Sequence, residues 1–406
     1  MRYGKVSAAV VAAALGGMMA ASAGSAVAEP GPTVSTFKQV TYAAQGVTVK
    51  KLTAAAQMTK DAETPARAFT GPTSMLASPT DPRIVVAATA DLRSKGCVLT
   101  VSRDGGHTWH FSKSQPTPDA YPYCTNNTAG VPMTSLAWGR NGVLYYAHQA
   151  YGDGEGTREG KSSIVVARTT DLGTTWTTAL ADNNRGKTGV VANDSGVTGL
   201  AVDTSGPRDM VTVGFSQSYP DAPSDSPLKN PNIMVATSVD AGATFAPAVN
   251  LNTFPRPSAT IGGTSHQLFM SSGFGNPFLT AHDGVLLAVA GPTTASNDQI
   301  APPPDAGAGL TPGTWYGYPM PQLIGRSTDQ GKTWAITTLG DPIYAGTGNM
   351  TGLGWTAKGG ATGTFVAAYA ATPSTSPTTA LADIVVQRST DGGVTWTSPL
   401  AVDDDT

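Results

Sequence analysis

One short motif, written five times, constrains this 406-residue chain more than any other feature. Ser102–Trp109 reads SRDGGHTW, and it returns as TTDLGTTW (Thr169–Trp176), SVDAGATF (Ser238–Phe245), STDQGKTW (Ser327–Trp334) and STDGGVTW (Ser389–Trp396). The shared pattern is Ser/Thr-x-Asp-x-Gly-x-Thr-Trp/Phe, and its Asp residues lie 67, 69, 89 and 62 positions apart. Self-similarity on this scale is the signature of a repeat architecture. The chemistry of one copy is that of a hairpin turn. The carboxylate accepts N–H bonds from its own turn, and the Gly two residues on supplies a positive φ that other residues avoid. Asp104, Asp171, Asp240, Asp329 and Asp391 therefore read as structural. Arg168, Arg326 and Arg388 precede their boxes at one fixed offset and read as scaffold too.

Each box follows a short β run: CVLTVS, SIVVAR, NIMVAT, QLIGRS or DIVVQR. A second apolar run lies about 20 residues upstream of most boxes (RIVVAATA and GVLLAVAGP are two), and a third precedes that one (TSMLASP, MTSLAWG). Each repeat is then strand A, tight turn, strand B, loop, strand C, Asp turn, strand D. A four-stranded antiparallel sheet repeated in this way is a β-propeller blade, so the fold class is all-β. Composition agrees, because 47 Gly and 30 Pro supply turns while only 13% of residues are charged and 40% are hydrophobic. A net charge of -3 with no charge run excludes a coiled coil and a nucleic-acid binder, and predicts no preference for anionic lipid.

The Ser-x-Asp-x-Gly-x-Thr-Trp repeat resembles the Asp box of the sialidase (neuraminidase) superfamily from about Phe69 onward. The resemblance implies a propeller over 69–406, preceded by an N-terminal segment at 29–68. Sialidases of this family have six blades, whereas five boxes are written here. Thr36–Lys51 (TFKQVTYAAQGVTVKK) carries two strand-like runs that would join a sixth blade or close the ring against the last one. Asp boxes also occur in non-enzymatic propellers of the sortilin type, so they specify fold more than activity.

The strand order puts the A–B turns and Asp turns on one face, and the B–C and D–A connections on the other. The second set is longer, and long loops on a rigid scaffold are where sites are built. A sialidase clamps the sialic acid carboxylate with three arginines, uses an Asp as acid/base, and attacks with a Tyr activated by a Glu. The family's first Arg lies in Phe-Arg-Ile-Pro; this chain has Phe69-Thr70-Gly71-Pro72, with Thr70 in place of the Arg. Losing one of three clamps costs roughly 1.5–3 kcal/mol per charged hydrogen bond. The family's acidic-x-Arg triplet fits Asp91-Leu92-Arg93, which implies Asp91 as the acid. Arg93, Arg158, Arg185 and Arg256 are the arginines available to bind substrate. Tyr316 and Tyr318 are the nucleophile candidates, ahead of Tyr151 and Tyr219, and Trp315 with its neighbours suits stacking on a sugar. Two functions follow: an exo-α-sialidase or related glycoside hydrolase acting on terminal sugars, or a non-catalytic propeller binding glycan or protein, the reading Thr70 favours. The expected partner is a glycan or glycoprotein, with no nucleic acid and no membrane, and the expected state is a monomer.

The remaining signals concern location and cofactors. Residues 1–28 read as a signal peptide, with Arg2 and Lys5, an apolar run and Ala26-Val27-Ala28 at the cleavage site. The mature protein is then secreted, and export favours a Cys97–Cys124 disulfide over two buried thiols. It would contribute on the order of 3 kcal/mol by the chain-entropy relation. No cofactor is required; the oxygen-rich stretch Asp153–Glu159 is the one candidate for calcium, without the full loop spacing. The five histidines show no zinc-ligand spacing.

Overall fold

A computed structural model describes residues 74–91, 95–112, 114–124, 134–152, 162–182, 193–218, 232–271, 278–294, 320–343, 351–356, 364–371 and 383–401. The signal-like segment, the Thr36–Lys51 runs and Thr70 lie outside them. The described residues form five successive antiparallel blades. Blade one is β1 (Ser74–Ala77), β2 (Val85–Asp91), β3 (Gly96–Ser102) and β4 (His110–Phe111). Blade two is β5 (Thr134–Trp138), β6 (Leu144–Tyr151), β7 (Ser162–Thr169) and β8 (Thr177–Leu180). Blade three is β9 (Asn193–Asp203), β10 (Met210–Ser218), β11 (Asn232–Ser238) and β12 (Val249–Asn250).

A hairpin of β13 (Ser258–Ile261) and β14 (Thr264–Gln267) then intervenes. Blade four is β15 (Phe269–Ser271), β16 (Phe278–His282), β17 (Val285–Thr293), β18 (Met320–Ser327) and β19 (Ala335–Ile343). Here β15 and β16 share one edge, pairing with the two ends of β17. Blade five is β20 (Thr351–Thr356), β21 (Thr364–Ala371), β22 (Asp383–Ser389) and β23 (Leu400–Ala401).

Residues 246–271, between the box of blade three and β16, thus carry β12, the β13–β14 hairpin and β15. The reason is local. Gly262 and Gly263 sit at φ 58° and 83° between Ile261 and its partner Thr264, the backbone a two-residue hairpin turn requires.

Blades are packed on both sides, which explains strands apolar without alternation. Along β17, Leu286, Ala288 and Ala290 face blade three while Leu287 and Val289 face blade five. Four buried cores result, one at each junction from blades one and two to blades four and five. The box aromatic joins the core shared with the preceding blade at Trp176, Phe245, Trp334 and Trp396.

The five boxes share one hydrogen-bond pattern. In blade four, the Ser327 hydroxyl donates to Asp329 Oδ1 at 2.8 Å and accepts from Gly331 N at 3.0 Å. The Thr333 N–H and hydroxyl donate to the two Asp329 oxygens at 3.0 and 2.7 Å. The same four bonds occur around Asp104, Asp171, Asp240 and Asp391. Bonds to the charged form lower a carboxyl pKa. Asp171 falls to about 2 chiefly through the Thr175 N–H, and Asp240, Asp329 and Asp391 fall to about 2 chiefly through the hydroxyls of Thr244, Thr333 and Thr395. Asp104 lies lower still, led by the Thr108 hydroxyl.

Arginines latch one blade to the next. Arg168 of blade two donates to the Ala241 carbonyl in the box turn of blade three at 2.8 Å. Arg326 of blade four donates to Gly392 O in the box turn of blade five at 2.7 Å. Blade five repeats the pattern: Val366, Ala368, Val386 and Arg388 occupy the register positions of Leu287, Val289, Ile324 and Arg326. Those apolar residues are only half-buried and Arg388 is exposed, without a side-chain partner among the described residues.

Candidate functional site

Opposite the boxes, β2 ends at Asp91, which is only 1% exposed and stands across from Gly96 at the start of β3. The Gln115 side chain lies over the strand pair here, its amide nitrogen 2.7 Å from where a Cβ on Gly96 would stand. The segment carrying Gln115 belongs to the connection from blade one to blade two, and it is fastened at several points. Cys97 is disulfide-bonded to Cys124, with Cα atoms 5.2 Å apart. The Cys124 N–H donates to Lys95 O at 2.8 Å, and Tyr123 and Tyr151 exchange backbone bonds of 3.3 and 2.7 Å.

His148, fully buried on β6, completes the fastening. Its Nε2 lies 2.8 Å from Pro116 O, while Nδ1 lies 3.3 Å from Cys124 Sγ and 3.1 Å from Gln149 O. The shortest contact assigns the proton to Nε2, donating to Pro116. Burial pushes the imidazole pKa down, so the ring is neutral. Tyr146 stands edge-on to His148 at 5.4 Å, and its hydroxyl donates to Thr89 O, two residues before Asp91, at 3.4 Å. Burial pushes that phenol well up, which keeps it a proton donor. The result is a carboxyl group at the end of a rigid strand, beside a loop held by a disulfide and by neutral hydrogen bonds.

Cys97, Cys124 and His148 form the one group among the described residues whose donor atoms, all within 4.8 Å, match a metal site. The S–S bond removes both thiolates as ligands, so the cluster acts as a staple. The calcium-like stretch Asp153–Glu159 lies outside the described residues.

Arg256 reaches the same face through the connection that follows blade three. Its guanidinium donates to Leu268 O (3.1 Å), Phe254 O (3.2 Å) and Gln267 Oε1 (3.0 Å), and lies 4.2 Å over the Phe269 ring. Burial lowers its pKa. Three protein oxygens thus already engage the fork. Arg93, Arg158, Arg185, Trp315, Tyr316, Tyr318 and Tyr219 lie outside the described residues. Tyr151 is buried in the strand pairing. His148 and Tyr146 were not singled out from sequence. The available signal was polarity in LYYAHQAY, a strand buried on both faces.

The strand pairing and the boxes define an Asp-box β-propeller. No family model matches the chain, and no curated protein matches it. Among solved structures, it is similar to an α-L-arabinofuranosidase from Fusarium graminearum bound to an iminosugar inhibitor, at 14% identity over 81% of this chain and 80% of that one, with a TM-score of 0.45. An α-L-arabinanase from Penicillium chrysogenum in complex with arabinobiose gives 14% identity over 81% and 80%, with a TM-score of 0.46. A Trypanosoma rangeli sialidase gives 16% identity over 72% of this chain and 39% of that one, with a TM-score of 0.36.

Proposed function

We propose that this chain is an exported glycan-recognising propeller of glycoside hydrolase type, acting on terminal sugars with Asp91 as the acid. The observation that carries the reading is the placement of Asp91, buried at the loop-face end of β2 and adjoining a loop that a disulfide and His148 hold. The finer reading is an exo-α-sialidase. In it Arg93 clamps the carboxylate with Arg158, Arg185 or Arg256, Tyr316 or Tyr318 attacks the anomeric carbon, and Trp315 stacks on the sugar. Hydrolysis by the secreted protein of fluorogenic sialosides, arabinofuranosides and neutral pyranosides tests both levels. Turnover of any one supports the hydrolase reading, and turnover of the sialoside alone supports the finer one.

The bonds already made by Arg256 favour a second reading, a non-catalytic glycan binder. A propeller that retains an oligosaccharide on a glycan array yet hydrolyses none of these substrates would be that binder.

A further inference from the structure

We propose that the cleft between blades two and three on the Asp-box face binds an acidic sugar unit, a ring bearing a carboxylate or sulfate. This cleft is a cavity of about 420 Å³, within the range of small-molecule sites. Three arginines line it: Arg140 from the A–B turn of blade two, Arg208 from that of blade three, and Arg168 from the end of β7. One carboxylate opposes them. Asp209 is buried and already committed to the wall: it accepts from Arg140 N at 3.1 Å and from the Tyr145 hydroxyl at 3.0 Å, and it pairs with Arg140 Nε at 3.4 Å. Arg140 also donates to Thr204 O and Gly206 O.

Arg140 and Asp209 therefore neutralise each other, and Arg168 and Arg208 remain as an uncompensated pair. Among the described residues, the single side-chain bond of Arg168 runs from Nη1 to Ala241 O, which leaves other N–H donors for a ligand. Arg208 is exposed and has no partner among the described residues. Planar guanidinium forks match a carboxylate or sulfate in two-point contacts. Thr170 and Thr177, exposed on the same lining and with hydroxyls that have no partner among the described residues, offer those hydroxyls to a sugar ring.

The other junctions act as internal controls. Val101 stands at the Arg168 position in blade one. At the junction of blades four and five, Arg326 faces Gly392 O beneath the short His282-Asp283-Gly284 turn, with no second arginine on that turn. The junction of blades one and two also has an arginine on each A–B turn, but Arg83 is paired with Asp81 at 2.8 Å, so only the blade two–three junction combines an unpaired turn arginine, Arg208, with an arginine at the Arg168 position among the described residues.

Calorimetric titration of the secreted protein tests the proposal with four probes: a uronic-acid disaccharide, a sulfated disaccharide, a neutral disaccharide and sodium sulfate. The expected result is binding of one or both acidic disaccharides at least ten times tighter than of the neutral one. It should weaken at least tenfold in Arg208→Ala and be unchanged in Arg388→Ala, which removes an exposed arginine elsewhere. Equal affinity for the neutral disaccharide, or no effect of Arg208→Ala, overturns the site. Sodium sulfate binding as tightly as the disaccharides overturns the sugar and leaves a bare anion pocket. Asp91→Asn should leave this binding intact, so the result stands apart from any hydrolytic activity on the other face.

Discussion

Removing the arginine latch between blades four and five should destabilise the propeller, whereas removing its counterpart on blade five should not. Arg326 donates from Nε to Gly392 O at 2.7 Å in a partly buried setting. Arg326→Ala deletes a charge-assisted bond and strips a box-turn carbonyl of its partner, at a cost of about 1.5–2 kcal/mol. Unfolding entropy of about 2.1 cal/mol/K per residue over roughly 330 residues converts that into a fall in Tm of about 2–3 °C. Arg388→Ala removes a side chain that is exposed and unpartnered among the described residues, so its expected shift is under about 1 °C. Differential scanning calorimetry of both variants at one pH and salt concentration gives the comparison. Equal shifts would refute the latch, because Arg326 would then stabilise only as any surface arginine does.

Acid should weaken all five boxes together. Their carboxyl pKa values are depressed to about 2 at Asp171, Asp240, Asp329 and Asp391, so the stabilisation is present above the unfolded value of about 4 and is lost as pH falls toward 2. Thermal midpoints should drop steeply below pH 4; an unchanged midpoint at pH 2 would contradict the box geometry. Gly173→Ala should cost roughly 2–5 kcal/mol, combining a left-handed residue with overpacking. Gly173 sits at φ 84°, and an added Cβ would lie 2.7 Å from Ser112 Cβ; a loss under 1 kcal/mol in denaturant titration would count against the packing. Reduction should cost about 3 kcal/mol, because Cys97 and Cys124 close a loop across a separation of 27 residues, and non-reducing gel mobility should change with it.

The blade was legible because its determinants are local. An Asp, a Gly and a Thr at fixed spacing close one turn by themselves, and the apolar B and C runs follow from burial on both faces. The D strands were legible only as the strand that must follow each Asp turn; their lengths, two residues in β4 (His110–Phe111) and β12 (Val249–Asn250), were not, since two residues carry no periodicity. The site was only partly legible. Asp91 was proposed from a three-residue motif, whereas the engagement of Arg256 depends on Leu268 and Phe254 carbonyls, which no sequence pattern marks. The fastening of His148 to Pro116 spans 32 positions and is a tertiary contact, so residue type alone could not reveal it. The arginine pair at the cleft comes from two blades, joined only by the stacking of repeats.

The central functional claim is that Asp91 performs proton chemistry on the loop face. The most direct measurement is kcat/KM of Asp91→Asn against the best-hydrolysed glycoside, with circular dichroism confirming the fold. The account predicts a loss of at least 100-fold, the scale of general acid–base catalysis, with binding of the uncleaved ligand largely retained. Activity within a few-fold of the unsubstituted protein would contradict it.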